Sequence, residues 1–429
     1  MTTSRFRRFA FPGRRRVLRH SATAVAAILL SVRVEAQTLS QRGFVEGRLL
    51  SFPQEAAYDP TRVVGDLLVR DEAFLAPAPW LRLAGGIELR VNSHDQVDGS
   101  WRPDFGDRDA QRPRVSLRRA GATLTRGRFT LDVGRQFIRW GKADIVNPTD
   151  RFAPRDFLNV IDADFMPVTG VRGVARIGDQ DSVEAVWVPR FTPSRMPLPG
   201  QRWTVITGDP RIPVVDLGAE LPGGSQTGFR WSHVGDRIEY AWSFYDGFNH
   251  LPNIDFLVRQ TAGFAPEVAI RRVYAPIRSF GGDAAVPTRW FTLKSEAAYV
   301  TTASSTSDEF ALYVIQVERQ IGEWVLIGGY AGEIITERRA PLTFAPDRGV
   351  TRSLIGRASY TIDANRSLGF ETAVRQNAAG AYAKAEYSQA YGQHWRATFA
   401  GVLIRGEPDD FLGQYRRNSH LSITLRCSF

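Results

Sequence analysis

From Arg416 to its last residue the chain reads RRNSHLSITLRCSF, in which Leu421, Ile423, Leu425, Cys427 and Phe429 share one parity while His420, Ser422, Thr424, Arg426 and Ser428 share the other. A period of two places these sets on opposite faces of a β-strand, whereas a helix would spread the same five apolar residues around its cylinder. The pattern recurs. In 309–320, Ala311, Tyr313, Ile315 and Val317 oppose Gln316, Glu318 and Gln320; in 393–403, Trp395, Ala397, Phe399 and Leu403 oppose His394, Arg396 and Thr398; in 238–245, Ile238, Tyr240, Trp242 and Phe244 oppose Glu239, Ser243 and Tyr245.

Turn residues divide these segments. Tight connections are expected at Thr125-Arg126-Gly127, Gly178-Asp179-Gln180, Gly235-Asp236, Gly281-Gly282-Asp283, Ile321-Gly322, Asp363-Ala364-Asn365 and Tyr391-Gly392-Gln393, where Gly, Asn and Asp permit hairpin geometry. Between them fall mostly longer connections: 95–110, 141–167, 192–225, 248–265, 302–308, 336–350, 377–380 and 405–415. Strands of roughly ten residues that alternate short turns with long loops predict an all-β, transmembrane, antiparallel up-and-down barrel. Counting from Trp80 to Phe429 predicts about 16 strands, within 14–18. A soluble sandwich would alternate similarly but would not separate its turns from its loops so regularly.

Residues 1–36 change the setting. Seven arginines and no acid precede an apolar stretch, Ala22–Val32, and Val34-Glu35-Ala36 precedes Gln37. This is expected to be a secretory signal peptide cleaved after Ala36, too short to span a membrane. Its removal leaves 47 basic and 44 acidic side chains of the whole chain's 55 and 45, so no nucleic-acid partner is expected. Cys427 is the only cysteine, which excludes an intrachain disulfide. No apolar run of 18 residues follows the leader. The barrel is assigned to 79–429. Residues 37–78 are expected to lie outside its wall, in the lumen or periplasm: 42–50 as a short strand and 60–76 as a short helix, with Asp59 as cap, Pro60 at the first position, Val64, Leu67, Leu68 and Leu75 on one face, and Pro77 as stop.

In hydrocarbon every backbone amide must be paired, so such a sheet has to close with its oily face outward. An outward charge near the midplane costs about 2–4 kcal/mol. By parity, Arg172, Arg176, Arg230, Lys294, Arg375, Lys384, Arg396 and Arg426 are expected to line the pore, with Glu184, Glu239, Glu296, Glu318, Glu371 and Glu386. Mixed charge of this kind suits polar solutes, and Arg172, Arg176 and Arg230 beside the longest loop suit an anionic one. That loop, 192–225, holds six prolines and can either fold inward or stand at the surface. Trp80, Trp140, Trp187, Trp324 and Trp395 supply interfacial aromatics. Asp144, Asp150, Asp156, Asp162 and Asp164 crowd one loop, but without a complete calcium-binding pattern they read as turn and cap residues, and no metal or cofactor is expected. His94, His233, His250, His394 and His420 lie in no nucleophile or metal motif, so no catalysis is expected.

Residues 133–157, VGRQFIRWGKADIVNPTDRFAPRDF, contain the elements G-R-Q-x-x-x-W-G and N-P-x-D. Over about 35 residues the chain resembles uncharacterised porin-like outer-membrane proteins, relatives of alginate-export-type barrels. The resemblance implies a channel fold and no particular substrate. The terminal Phe429 is similar to the aromatic tag read by the outer-membrane insertion machinery. The expected protein is a Gram-negative outer-membrane channel, in contact with membrane lipid and passing small hydrophilic solutes, anionic ones included. The alternatives are a non-conducting structural or adhesive barrel and, behind it, an outer-membrane hydrolase. Oligomeric state is not encoded in these patterns.

Overall fold

The computed structural model describes residues 38–57, 59–204, 214–259, 267–340 and 345–429, so the expected signal peptide and its cleavage site lie outside the described residues. The chain winds an antiparallel barrel of 18 strands: β1 (Thr38–Ser51), β2 (Val63–Ala78), β3 (Leu81–Asn92), β4 (Val115–Arg126), β5 (Phe129–Gln136), β6 (Val168–Ile177), β7 (Asp181–Val188), β8 (Gln226–Val234), β9 (Glu239–Phe248), β10 (Pro276–Pro287), β11 (Thr292–Thr302), β12 (Glu309–Ile321), β13 (Trp324–Glu337), β14 (Ser353–Thr361), β15 (Arg366–Arg375), β16 (Gly380–Tyr391), β17 (Trp395–Gly406) and β18 (His420–Ser428). Each pairs with the next, and β1 pairs with β18 from Phe44 against Ser428 to Ser51 against Leu421, which closes the sheet.

The count of about 16 is therefore corrected to 18. Sixteen strands do follow Trp80; the other two are built from the segment placed outside the wall. The expected helix at 60–76 is strand β2, fully paired with both β1 and β3. The misreading has a physical cause. Inward apolar residues occur in other strands too, but here Leu50, Phe52, Val64 and Leu68 face inward and are buried beside outward Val63 and Leu67, so both parities of β2 carry leucine or valine. Alternation then disappears, and Val64, Leu67 and Leu68 imitate a helical face.

One expected turn is also corrected. Gly281-Gly282-Asp283 lies within β10, and the hairpin is made at 288–291. Gly281 serves a close approach instead: a Cβ there would lie 2.8 Å from the Thr149 Cγ2. The tight turns at Gly127, Gly178, Gly322 and Gly392 do use positive φ, at 58°, 65°, 55° and 62°.

Outward positions form an apolar belt. Leu67, Leu89, Phe229, Trp242, Phe280, Ile315, Leu354, Phe370, Phe399 and Ile423 are all exposed. Water would oppose so continuous an apolar girdle, whereas acyl chains match it. At the seam, Gly43 and Phe429 exchange backbone hydrogen bonds of 2.9 Å in both directions. The Phe429 ring lies across the position of the missing Gly43 side chain, 2.5 Å from where a Cβ would stand.

Candidate functional site in the lumen

Two long connections fold into the barrel. The first, 137–167, is pinned to the inner wall by a carboxylate on β11. Glu296 accepts from the backbone amides of Lys142 (2.9 Å), Ala143 (3.0 Å) and Thr149 (2.8 Å), and from the Thr149 hydroxyl (2.8 Å). Asp150 holds the loop's own bend by accepting from the amides of Trp140 (2.6 Å) and Gly141 (2.7 Å). The Trp140 indole donates to Glu184 at 2.7 Å, Arg230 donates to the Trp140 carbonyl, and Lys142 pairs with Glu239 at 2.9 Å. Ala143, Val146 and Val160 pack into one buried cluster with inward residues of β12–β17, including Val314, Ile355, Tyr382 and Val402. The loop thus presents its own apolar side to a wall that is apolar at that level, which explains why these inward positions are not polar.

Its far end is fixed by charge. Asp162 lies between Arg48 of β1 (2.6 Å) and Lys384 of β16 (2.8 Å). Burial alone would raise the Asp162 pKa, but these two cations outweigh it and hold the carboxyl well below the ordinary range. Asp156 is the node of a buried chain of charges: it pairs with Arg112 (2.7 Å) and Arg195 (3.2 Å), and Arg195 also pairs with Asp107, which pairs with Arg135 (3.0 Å).

The second connection does both things that its sequence allowed. Residues 191–204 fold inward: Arg202 donates to the carbonyls of Thr61, Gln54 and Arg417, and Trp203 packs on Tyr415 and His420. Val214–Glu220 instead joins a separate three-stranded sheet with Asn253–Arg259 and Glu267–Val273. His250 ties the inward part, with Nδ1 donating to the Thr192 carbonyl at 2.6 Å and the ring stacked on Phe191 at 5.1 Å between centroids. Burial pushes the His250 pKa down to about 4. The folded value lies below that of a free imidazole, so the stabilisation is complete above roughly pH 6.5 and is lost as pH falls from there toward 4. Protection factors of the amides in 191–195, which correct for the intrinsic exchange rate at each pH, are expected to fall across that window, and His250→Gln to remove most of that change; equal protection factors at pH 7 and 4 in the unaltered protein would refute the assignment.

Open space remains on both sides of the loop. A cavity of about 260 Å³ is lined by Arg48, Arg70, Arg90, Arg112, Arg202 and Arg426, among others. A second cavity of about 330 Å³ lies on the other side of the loop, with Arg139, Arg151, Arg155, Asp347 and Tyr382 in its lining. On the β2–β4 wall one carboxylate, Glu88, serves three guanidinium groups: Arg70 at 2.8 Å, Arg90 at 3.2 Å and Arg118 at 3.6 Å. Asp66 is 3.8 Å from Arg90. Cations outnumber acids along this strip.

The residues singled out by parity are not brought together at one site. Arg172 pairs with Glu184 (2.7 Å) and Asp132 (3.3 Å), Arg230 with Asp283 (2.6 Å), Lys294 with Glu318 and Asp144, and Arg357 with Glu371 (2.9 Å). Arg375 binds Asp410 (3.1 Å), Glu386 is 3.9 Å from Lys384, Arg396 donates to Ser388 (3.2 Å) and Arg426 to Glu46 (2.7 Å). Arg176 lies toward the short-turn end of β6. Sequence reasoning missed Arg48, Arg70, Arg90 and Arg118. The signal was present as same-parity charge in Glu46/Arg48, Asp66/Arg70 and Glu88/Arg90, and it was discarded for β1 and β2 with the segment that carries them. Asp144, Asp150, Asp156 and Asp162 each serve the loop contacts described above. Among the described residues no group of three or more His, Cys, Asp or Glu side chains converges as a metal site.

No protein-family model matches the chain. No curated protein matches it. Solved structures do resemble it. The Acinetobacter baumannii OccAB1 structure aligns with TM-score 0.52 at 9% identity over 93% of this chain and 97% of that one. OccD3 (OpdP) of Pseudomonas aeruginosa aligns with TM-score 0.51 at 9% identity over 91% of each chain. A BenF-like porin from Pseudomonas fluorescens Pf-5 aligns with TM-score 0.51 at 8% identity over 92% and 98%. What the chain shares with these structures is the fold, a porin-type closed β-barrel spanning almost all of the described chain.

Proposed function

We propose that the protein is an outer-membrane channel for passive passage of small hydrophilic solutes, with anionic solutes favoured at its narrowest level. The observation that carries this reading is the strip of Arg48, Arg70 and Arg90, which line the open cavity together with Arg112, Arg202 and Arg426, six guanidinium groups against the four carboxylates of Glu46, Asp66, Asp162 and Asp164, while Arg118 shares Glu88 with Arg70 and Arg90 beside it. A carboxylate or phosphate entering beside Arg90 replaces part of its hydration shell with charge-assisted hydrogen bonds. Because Glu88 and Asp66 already engage these arginines, the solute is held weakly enough to leave, as conduction requires. Long loops face outward from the cell and short turns face the periplasm, following the usual barrel orientation. Arg172, Arg176 and Arg230, Glu239 and the other inward residues tune the remaining field, and Phe429 serves the insertion machinery during assembly. A narrower kinship with alginate-export-type barrels rests on residues 133–157 alone.

Planar-bilayer reversal potentials test the proposal. Anion preference is expected in the unaltered channel, and Arg90→Gln with Arg118→Gln is expected to lower small-carboxylate flux about tenfold, the equivalent of one charged hydrogen bond. Cation preference, or unchanged flux in the double variant, would overturn it. One observation favours a second reading, a non-conducting barrel: the cluster of Val146, Val160, Trp203, Leu412 and Tyr415 fills much of the lumen. Absence of conductance in the unaltered protein would select that reading.

A further inference from the structure

One concavity of the barrel is on its outside. At the short-turn end of β4–β7 a groove of about 800 Å³ runs over a floor of small outward residues, Gly173, Ala175 and Ala185. Its walls are Trp80, Leu124, Phe129 and Leu131. Trp80 and Phe129 stand 53% and 67% exposed at its lower edge, so the groove opens to whatever surrounds the barrel. Arg126 lines its mouth, and Arg128 follows one residue beyond Gly127 in the same turn. Neither guanidinium has an ion-pair partner among the described residues.

We propose that this groove holds one anionic glycerophospholipid of the periplasmic leaflet, with its acyl chains against Gly173, Ala175 and Ala185 and its phosphate between Arg126 and Arg128. The proposal rests on the membrane-spanning reading and adds a lipid class and a position. Three features select the occupant. The floor and walls are apolar, so a hydrophilic solute would find no partner there. The basic pair lies at the short-turn rim, where glycerophospholipid head groups lie in the orientation given above, and positive charge at a membrane surface attracts anionic lipid. Trp80 and Phe129 flank the mouth at the level where aromatic side chains meet head groups.

Purified protein in mild detergent, mixed with equal phosphatidylglycerol and phosphatidylcholine, would be examined by native mass spectrometry. One phosphatidylglycerol adduct is expected to survive, about tenfold preferred over phosphatidylcholine. Arg126→Gln with Arg128→Gln should abolish the preference, and Gly173→Leu should remove the adduct while bilayer conductance stays unchanged, which also checks that the variants fold. Equal retention of the two lipids, a preference that survives the double glutamine variant, or a groove occupied by a second copy of the chain would overturn the site and leave the membrane barrel standing. Failure of the wider reading would look different: a protein monomeric in water without detergent that retains neither lipid.

Discussion

Glu296→Ala is expected to release the inward loop and raise single-channel conductance several-fold. The carboxylate accepts three loop amides and a hydroxyl. Each buried donor left without an acceptor costs about 1–3 kcal/mol. Together these losses amount to several kcal/mol, comparable with the hydrophobic gain from burying two or three valine-sized side chains. The loss is thus about as large as what the loop's apolar contacts through Ala143, Val146 and Val160 contribute, enough to shift the balance toward release. Glu296→Gln keeps one acceptor oxygen and should give an intermediate, noisier channel. If the alanine variant conducts like the unaltered protein, the loop is held by its apolar contacts and the role given to Glu296 is wrong.

The other large effect is expected at Asp156. Arg195 and Asp156 side chains are only 5% and 7% exposed, and Arg112 shares the same carboxylate. Burial raises the pKa of this acid, yet the adjoining guanidinium groups hold it well below the ordinary carboxylate range, so it stays charged at every physiological pH. Asp156→Ala leaves both arginines without that counter-charge, a loss of about 3–5 kcal/mol for a buried pair broken on one side. The contact joins connections 93–114, 137–167 and 189–225, so limited proteolysis should cut all three sooner while the paired strands of the barrel persist. Combining Asp156→Ala with Arg195→Met removes one of the two stranded charges and should restore part of the protection. Equal proteolysis rates in the single variant and the unaltered protein would show that the charge chain does not hold the loops.

Strands with one apolar face could be read directly from period two, as at 238–245, 309–320, 393–403 and 421–429, although the turn expected at Gly281-Gly282-Asp283 divided β10. β1 and β2 could not, because Leu50, Phe52 and Val64 pack inward against each other, under Arg202 and His420. A long-range contact had made the inner face oily, and a local pattern carries no trace of its cause. The candidate site divides in the same way. Parity gives the direction of each charge, so Arg172, Glu296 and Lys384 were placed inward. Whether an inward arginine stays free for a solute depends on which loop residue reaches it. Asp162 meets Arg48 across 114 positions and Lys384 across 222, separations that turn chemistry does not encode. Glu296 was read as a pore-lining charge; its four donors all come from a loop whose path was not in the pattern.

The seam between β1 and β18 sets the order of events in biogenesis. Its partners come from opposite ends of the chain, so no shorter nascent fragment can complete the cylinder, and every earlier stage carries two unsatisfied sheet edges. Pairing across so great a sequence distance is slow. The polypeptide must therefore wait, shielded by escorts, until β18 has been delivered. A chain that stopped before β18 would be left with an open sheet, not a smaller pore.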